Sequence, residues 1–218
     1  MPKLSEFERY INELSQALGH RDRHAGFADY SRGLMLPIER KSVEPLAAHT
    51  DPLHVSAKHQ SLHHLVAQSE WSDREVLACV REWVMPQLGR KSKFYWIVDD
   101  TGFPKKGRHS VGVTRQYCGQ LGKQDNCQVA VSLSFASERG SVPIDWRLYL
   151  PEVWAKDRRR RKKSGVPTGV KFLTKPQIAL EQIRAAKAAG VAIGMVLADA
   201  GYGNETAWRE ALEGMELK

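Results

Sequence analysis

Apolar side chains recur at helical spacing through the first part of the chain. Phe7, Ile11, Leu14 and Leu18 share one face of a helix predicted over 5–18, which stops near Gly19. A second helix is predicted from about Phe27, and Pro37 and Pro45 each read as the start of a further short helix. The pattern resumes from Val55 to Ala67 and again from Ser72 to Leu88. In the latter, Ser72, Asp73 and Glu75 mark the start, Val76, Leu77, Val80, Trp83 and Val84 form the apolar face, and Pro86 and Gly89 mark the end. Residues 1–90 are therefore expected to form an all-helical domain.

The period then changes. Phe94 to Val98 is a continuous apolar run, short enough for a buried strand, and it ends in the paired acids Asp99 and Asp100. Ser110–Val113, Gln128–Phe135 and Val142–Leu150 are short runs rich in β-branched or aromatic residues, separated by glycine-containing turns, and antiparallel hairpins explain them most simply. A helix is predicted over Lys175–Ala189 between Pro176 and Gly190, then a strand over Val191–Ala198 that runs into Asp199, and a last helix from about Asn204 to Leu212. Residues 91–218 thus read as a mixed domain, α+β or α/β overall.

Charge divides the chain in the same place. Net charge is +8 and the pI about 9.5, but residues 1–90 hold 11 basic and 12 acidic side chains against 22 and 13 in 91–218. A basic excess confined to one segment is the footprint of a polyanion, most simply nucleic acid. Its densest part is Lys156, Arg158, Arg159, Arg160, Arg161, Lys162 and Lys163, interrupted only by Asp157, a run that repels itself unless phosphates neutralise it. The apolar content of 42% can bury a core and excludes general disorder. No stretch approaches the ~20 apolar residues of a membrane span, and Met1–Tyr10 has no secretory h-region, so a cytoplasmic location and no membrane partner are expected. Cys79, Cys118 and Cys127 have no CxxC spacing and read as reduced thiols. Seven of the eight histidines fall in the helical part without metal-ligand spacing.

Two aspartates about 100 residues apart, each after an apolar strand, converge if the strands are neighbours in one sheet. Magnesium is usually held by one or two carboxylates together with water and substrate phosphates, and paired ions clamp the attacking and leaving oxygens of nucleases and polymerases. Lys105, Lys106 and Arg108 follow the first acids closely and are candidates for phosphate contact, with a solvated turn as the plain alternative, while Arg115 beside a predicted strand is a candidate for contact with backbone or base, with packing as its alternative. Trp146, Tyr149 and Trp154 precede the basic run and are candidates for stacking on a base, with packing as the plainer alternative.

The segment 98–107, Val-Asp-Asp-Thr-Gly-Phe-Pro-Lys-Lys-Gly, with Gly-Val-Thr-Arg-Gln-Tyr-Cys-Gly at 112–119 and Ala-Asp-Ala-Gly-Tyr-Gly at 198–203, resembles the DDE-type transposases of bacterial insertion sequences. The likeness extends to 37–45 and 59–64 in the helical part. It implies a ribonuclease H-like catalytic domain over 91–218, a helical DNA-end or accessory domain over 1–90, Mg²⁺ or Mn²⁺ as cofactor, and cleavage and strand transfer at the terminal inverted repeats and target DNA. By the same resemblance the first catalytic and metal-binding acid is Asp99, backed by Thr101, with Asp100 as its competitor, and the second is Asp199, followed by a turn at Tyr202 and Gly203. The family's third acid is a glutamate on a later helix. Glu205, Glu210, Glu213 and Glu216 match no such motif and read as a solvated face, so the expectation is an incomplete sheet and a transposase cut short before its third acid. A homodimer or an intact transposase would be its protein partner, with the nucleoid as its place when bound. The alternative is an inactive DNA-binding remnant that inhibits an intact enzyme.

Overall fold

The computed structural model describes residues 5–88 and 93–218 and divides into two compact units, Met1–Met85 and Pro86–Lys218. Gly89 and a boundary at 90/91 lie outside the described residues. The first unit is helical: α1 (Glu6–Gln16), α2 (Asp22–Leu34), α3 (Val43–Thr50), α4 (Val55–Ala67) and α5 (Asp73–Val84). Local chemistry sets two of the starts. Ser5 and Glu8 form a reciprocal capping box on α1, and the Ser72 hydroxyl accepts from the Glu75 N–H at the start of α5. Leu46, Ala47 and Leu62 are fully buried where α3 meets α4, with Tyr30, Ile38, Val43 and Val55 around them, and Tyr10 stacks on Trp83 at 5.7 Å to join α1 to α5. Two expectations are corrected here. The second helix begins at Asp22 rather than near Phe27, and Pro37 lies in a bend and starts no helix, whereas Pro45 occupies the first turn of α3, where no N–H is needed.

The second unit is a five-stranded mixed sheet with flanking helices, an α+β arrangement of ribonuclease H-like type. The strands are β1 (Tyr95–Pro104), β2 (Thr114–Cys118), β3 (Lys123–Ser137), β4 (Gly140–Leu148) and β5 (Met195–Ala198). The 15-residue β3 is the organiser: it pairs antiparallel with all ten residues of β1, with β2 along its first part and with β4 along its second. The other edge of β1 pairs parallel with β5, from Tyr95↔Met195 to Val98↔Ala198. A parallel neighbour needs a crossover, and it is supplied by a segment containing α6 (Glu152–Lys156), α7 (Arg158–Lys163) and α8 (Lys175–Ala188). After β5 follow α9 (Ala200–Gly203) and α10 (Thr206–Glu213).

Alternation along β1 sorts its side chains. Trp96 and Val98 are buried and face the same way as Phe135 and Leu133 of β3, whereas Tyr95 and Ile97 on the other face are half-exposed. Helix α8 covers the buried face with Ile178, Ala179 and Ile183, and buried Gln182 donates to the Val131 carbonyl at 3.1 Å. The Trp96 indole donates to the Ala192 carbonyl at 2.9 Å, tying the approach to β5 against β1.

The strand assignments also need correction. Asp99 and Asp100 do not end a strand: β1 continues to Pro104 because β3 supplies a hydrogen-bonding edge over its full length. Ser110–Val113 is a turn, since Gly112 takes φ +78° and a Cβ there would meet the Tyr149 carbonyl at 2.9 Å; the strand starts at Thr114 instead. The strand expected from Val191 begins at Met195. Among the described glycines the tightest approach is at Gly194, where a Cβ would lie 2.4 Å from the Phe94 carbonyl oxygen. Gly194→Ala is therefore expected to lower stability to urea by about 1–3 kcal/mol, while Gly169→Ala, which meets nothing within 4 Å, stays within about 0.5 kcal/mol of wild type. Equal effects of the two would contradict the close approach.

Candidate active site

Pairing between β1 and β5 ends at Val98 and Ala198, so the next residue on each strand is an aspartate. Asp199 leaves the sheet at once and caps α9, its Oδ1 accepting from the Tyr202 N–H at 3.3 Å. Asp99 and Asp100, still within β1, point to opposite faces. Asp100 continues the face of Trp96 and Val98 and stands opposite buried Val131, while Asp99 is exposed, stands opposite Ser132, and accepts from the Asp100 N–H at 2.7 Å. Asp99, Asp100 and Asp199 are all among the residues lining one cavity of about 640 Å³, with Thr101, Tyr117, Lys175 and Tyr202.

Two of these residues are not marked as site members by the sequence. Lys175, the first residue of α8, pairs with the Asp100 carboxylate. Its detectable signal is a cation at the N-terminal end of a helix, against the dipole. Tyr202 reads along the chain only as part of a turn. It is 3% exposed, packs on Trp208 at 5.6 Å, and its hydroxyl has no hydrogen-bond partner among the described residues. Burial first, then the charges of Asp100, Asp199 and Asp99, push its pKa well up, so the phenol stays protonated and is a donor awaiting an acceptor.

The donor set consists of carboxylate oxygens, which suit a hard divalent cation. Among the described residues no three His, Cys, Asp or Glu side chains are gathered into a ready metal cage. Carboxylates lining the cavity could hold such an ion, with water or phosphate oxygens in the remaining positions. Glu205, Glu210, Glu213 and Glu216 are exposed, and none lines the cavity.

A second hollow of about 420 Å³ is lined by Lys106, Arg108, Arg115 and Arg160, with Thr114, Asn126 and Asp125. Asn126 shapes its rim by donating to the carbonyls of Lys105 and Gly107 at 2.5 and 2.9 Å. Lys105 is exposed at the same turn. Between Asp100 and Pro104 the strand advances about 13 Å, the rise of about four base pairs.

The basic run is a helical turn, α7, capped by Asp157, whose Oδ1 accepts from the Arg160 N–H at 2.8 Å. Its members divide by orientation. Arg160 lies 3.7 Å above the ring of buried Trp154 and donates to the carbonyls of Arg108 and Val113 at 2.6 and 3.3 Å. Arg161 donates to the carbonyls of Ala155, Pro167 and Val170. These two guanidinium groups clamp the chain to itself, whereas Arg158, Arg159, Lys162 and Lys163 are exposed. Trp154 likewise packs in the core, its indole donating to the Val113 carbonyl at 2.7 Å. It is thereby committed to packing and does not stack on a base. Cys127 is buried, and burial together with the neighbouring Cys118 pushes its thiol up to about 11, in keeping with an unreactive side chain.

Known proteins resemble this chain. Residues 13–218 match the family described as DDE superfamily endonuclease. Over 144 residues the chain is 34% identical to a protein of Microchaete diplosiphon described as a probable transposase for insertion sequence element IS701, a match covering 66% of this chain and 35% of that protein. The matched part thus spans about a third of the length of the curated relative.

The division within α7 is measurable. Arg161→Ala is expected to cost about 1.5–3 kcal/mol in urea unfolding, as charged hydrogen bonds do when removed, and to open 164–172 to limited proteolysis. Arg158→Ala should change stability by less than about 0.5 kcal/mol. Indistinguishable unfolding curves would remove the clamp.

Proposed function

Since this chain belongs to the DDE superfamily endonucleases, we propose that it acts in DNA transposition as the part of an insertion-sequence transposase that carries two of the catalytic acids. The observation that carries this reading is the convergence of Asp100 and Asp199, with Asp99 adjoining, on one cavity through the parallel pairing of β1 and β5. Of the two neighbouring acids, Asp100 is the stronger ligand candidate. It lies on the face covered by α8, and among the carboxylates its charge weighs most on the Tyr202 hydroxyl.

In this reading Asp100 and Asp199 hold Mg²⁺ or Mn²⁺, which when bound would activate the attacking water or 3′-hydroxyl and stabilise the leaving oxygen. Lys105, Lys106, Arg108 and Arg115 hold phosphates of the strand being cut, as charges that position rather than read bases. Arg158, Arg159, Lys162 and Lys163 extend the contact along the duplex, and Arg160 and Arg161 serve it indirectly by fixing α7 in place. The Tyr202 phenol orients an oxygen in the cavity by donating a hydrogen bond. The helical unit serves as an accessory or DNA-end domain, and its partners in transposition are element ends, target DNA and further transposase copies.

A second reading, DNA binding without cleavage, is favoured by one observation: no glutamate of 205–216 lines the cavity. One set of measurements separates the two. With supercoiled plasmid and Mn²⁺ the wild-type chain is expected to nick DNA and to stop when EDTA is added. Asp199→Asn and Asp100→Asn should each slow nicking by more than about tenfold, and Asp99→Asn by less. Binding without nicking in every variant would support the second reading.

DNA affinity should fall with salt along a straight line in log–log form. Replacing Arg158, Arg159, Lys162 and Lys163 by alanine should flatten that line by about 0.9 for each phosphate that is no longer neutralised. A flat response of the parent chain would exclude phosphate contact altogether.

A further inference from the structure

Lys175 is misplaced by the local rules of helices. It is the first residue of the 14-residue α8, after a capping box made by Thr174 and Gln177, and no acid accompanies it in the first turn. A cation there faces the positive end of the helix dipole and is disfavoured. What offsets the conflict is tertiary: the ammonium pairs with Asp100 and lies 5.9 Å from the centre of the Tyr149 ring. Among the described residues lining the cavity there are three carboxylates and one cation, Lys175. A residue that breaks a local preference and is compensated only inside a site points to function.

We propose that Lys175 is a positioning residue that acts as a built-in counter-ion. It neutralises Asp100 while no divalent ion is present, gives up that carboxylate when the ion binds, and then turns its charge to a phosphate oxygen of the DNA strand. This rests on the reading of Asp100 and Asp199 as ligands of a divalent ion. The pair is suited to exchange, because its side chains keep 31% and 22% of their exposure and an ion pair partly open to water holds weakly. While Lys175 occupies Asp100, the apparent affinity for the ion is reduced by the fraction of molecules in which that carboxylate is free.

The test uses the full 218-residue chain and Mn²⁺ titration followed by electron paramagnetic resonance, a readout independent of cleavage. Lys175→Met keeps an unbranched side chain of nearly the same length but removes the charge, and it is expected to bind Mn²⁺ about fivefold more tightly than wild type. In the presence of Mn²⁺ the same variant should bind duplex DNA about fivefold more weakly, since one phosphate is then left without its cation. Lys171→Met, which removes an exposed cation that does not line the cavity, should leave Mn²⁺ affinity unchanged. Lys175→Gln gives the same comparison if thermal unfolding shows that the methionine variant is not folded. Unchanged or weaker Mn²⁺ binding on loss of Lys175, or an equal gain in Lys171→Met, would overturn the proposal while leaving the two-acid site standing. Absence of Mn²⁺ binding in wild type and variants alike would bring down the two-acid reading and this inference with it.

Discussion

The parallel ladder between β1 and β5 is the constraint on which the candidate site depends. Four paired residues, Tyr95–Val98 against Met195–Ala198, bring together positions about 100 residues apart. Neither strand could hold that register alone. β1 is anchored on its other edge by ten pairs to β3, and the approach to β5 is tied down by the Trp96 indole on the Ala192 carbonyl and by the close backbone approach at Gly194. A one-residue slip of β1 would reverse its faces, putting Trp96 into water and Asp99 under α8. Burying Trp96, Val98, Leu133 and Phe135 therefore also decides which acid faces the helix.

The same logic applies to charge. Three carboxylates in one cavity repel each other, and a basic run of six residues does likewise. Each conflict is relieved by a specific interaction: Lys175 on Asp100 in the cavity, and in α7 the cap at Asp157, the stacking of Arg160 on Trp154 and the hydrogen bonds from Arg161 to backbone carbonyls. Arginine suits the latter task because its planar fork can donate to several carbonyls at once and lie flat on an aromatic ring. Two of the six charges of α7 thus build the platform that presents the others.

Much of this is legible from residues alone where the cause is local. The Ser5 and Ser72 caps announce their helices, as does the stop at Gly190 after α8, because capping acts within a few residues. The acids at 99, 100 and 199 stand out beside apolar runs, and the motif around them carries the family. Less visible is the length of β1, which depends on an edge offered by β3, and the turn at Gly112, which depends on the distant Tyr149 carbonyl. The roles of Arg160 and Arg161 are hidden for the same reason. A run of like charges reads as one surface until the neighbours of each side chain are known.

Sequence by itself determined the helical character of the first unit, the mixed character of the second, the concentration of positive charge in the latter and the identity of the candidate acids, since each follows from periodicity, composition or motif. Tertiary structure alone decided that Asp100 shares a face with the core, that Lys175 answers it, that the Tyr202 hydroxyl is buried beside them, and that two arginines of α7 are turned back onto the chain. Those outcomes depend on strand register and on which face a helix covers. Such relations arise between distant segments and cannot be read along the chain.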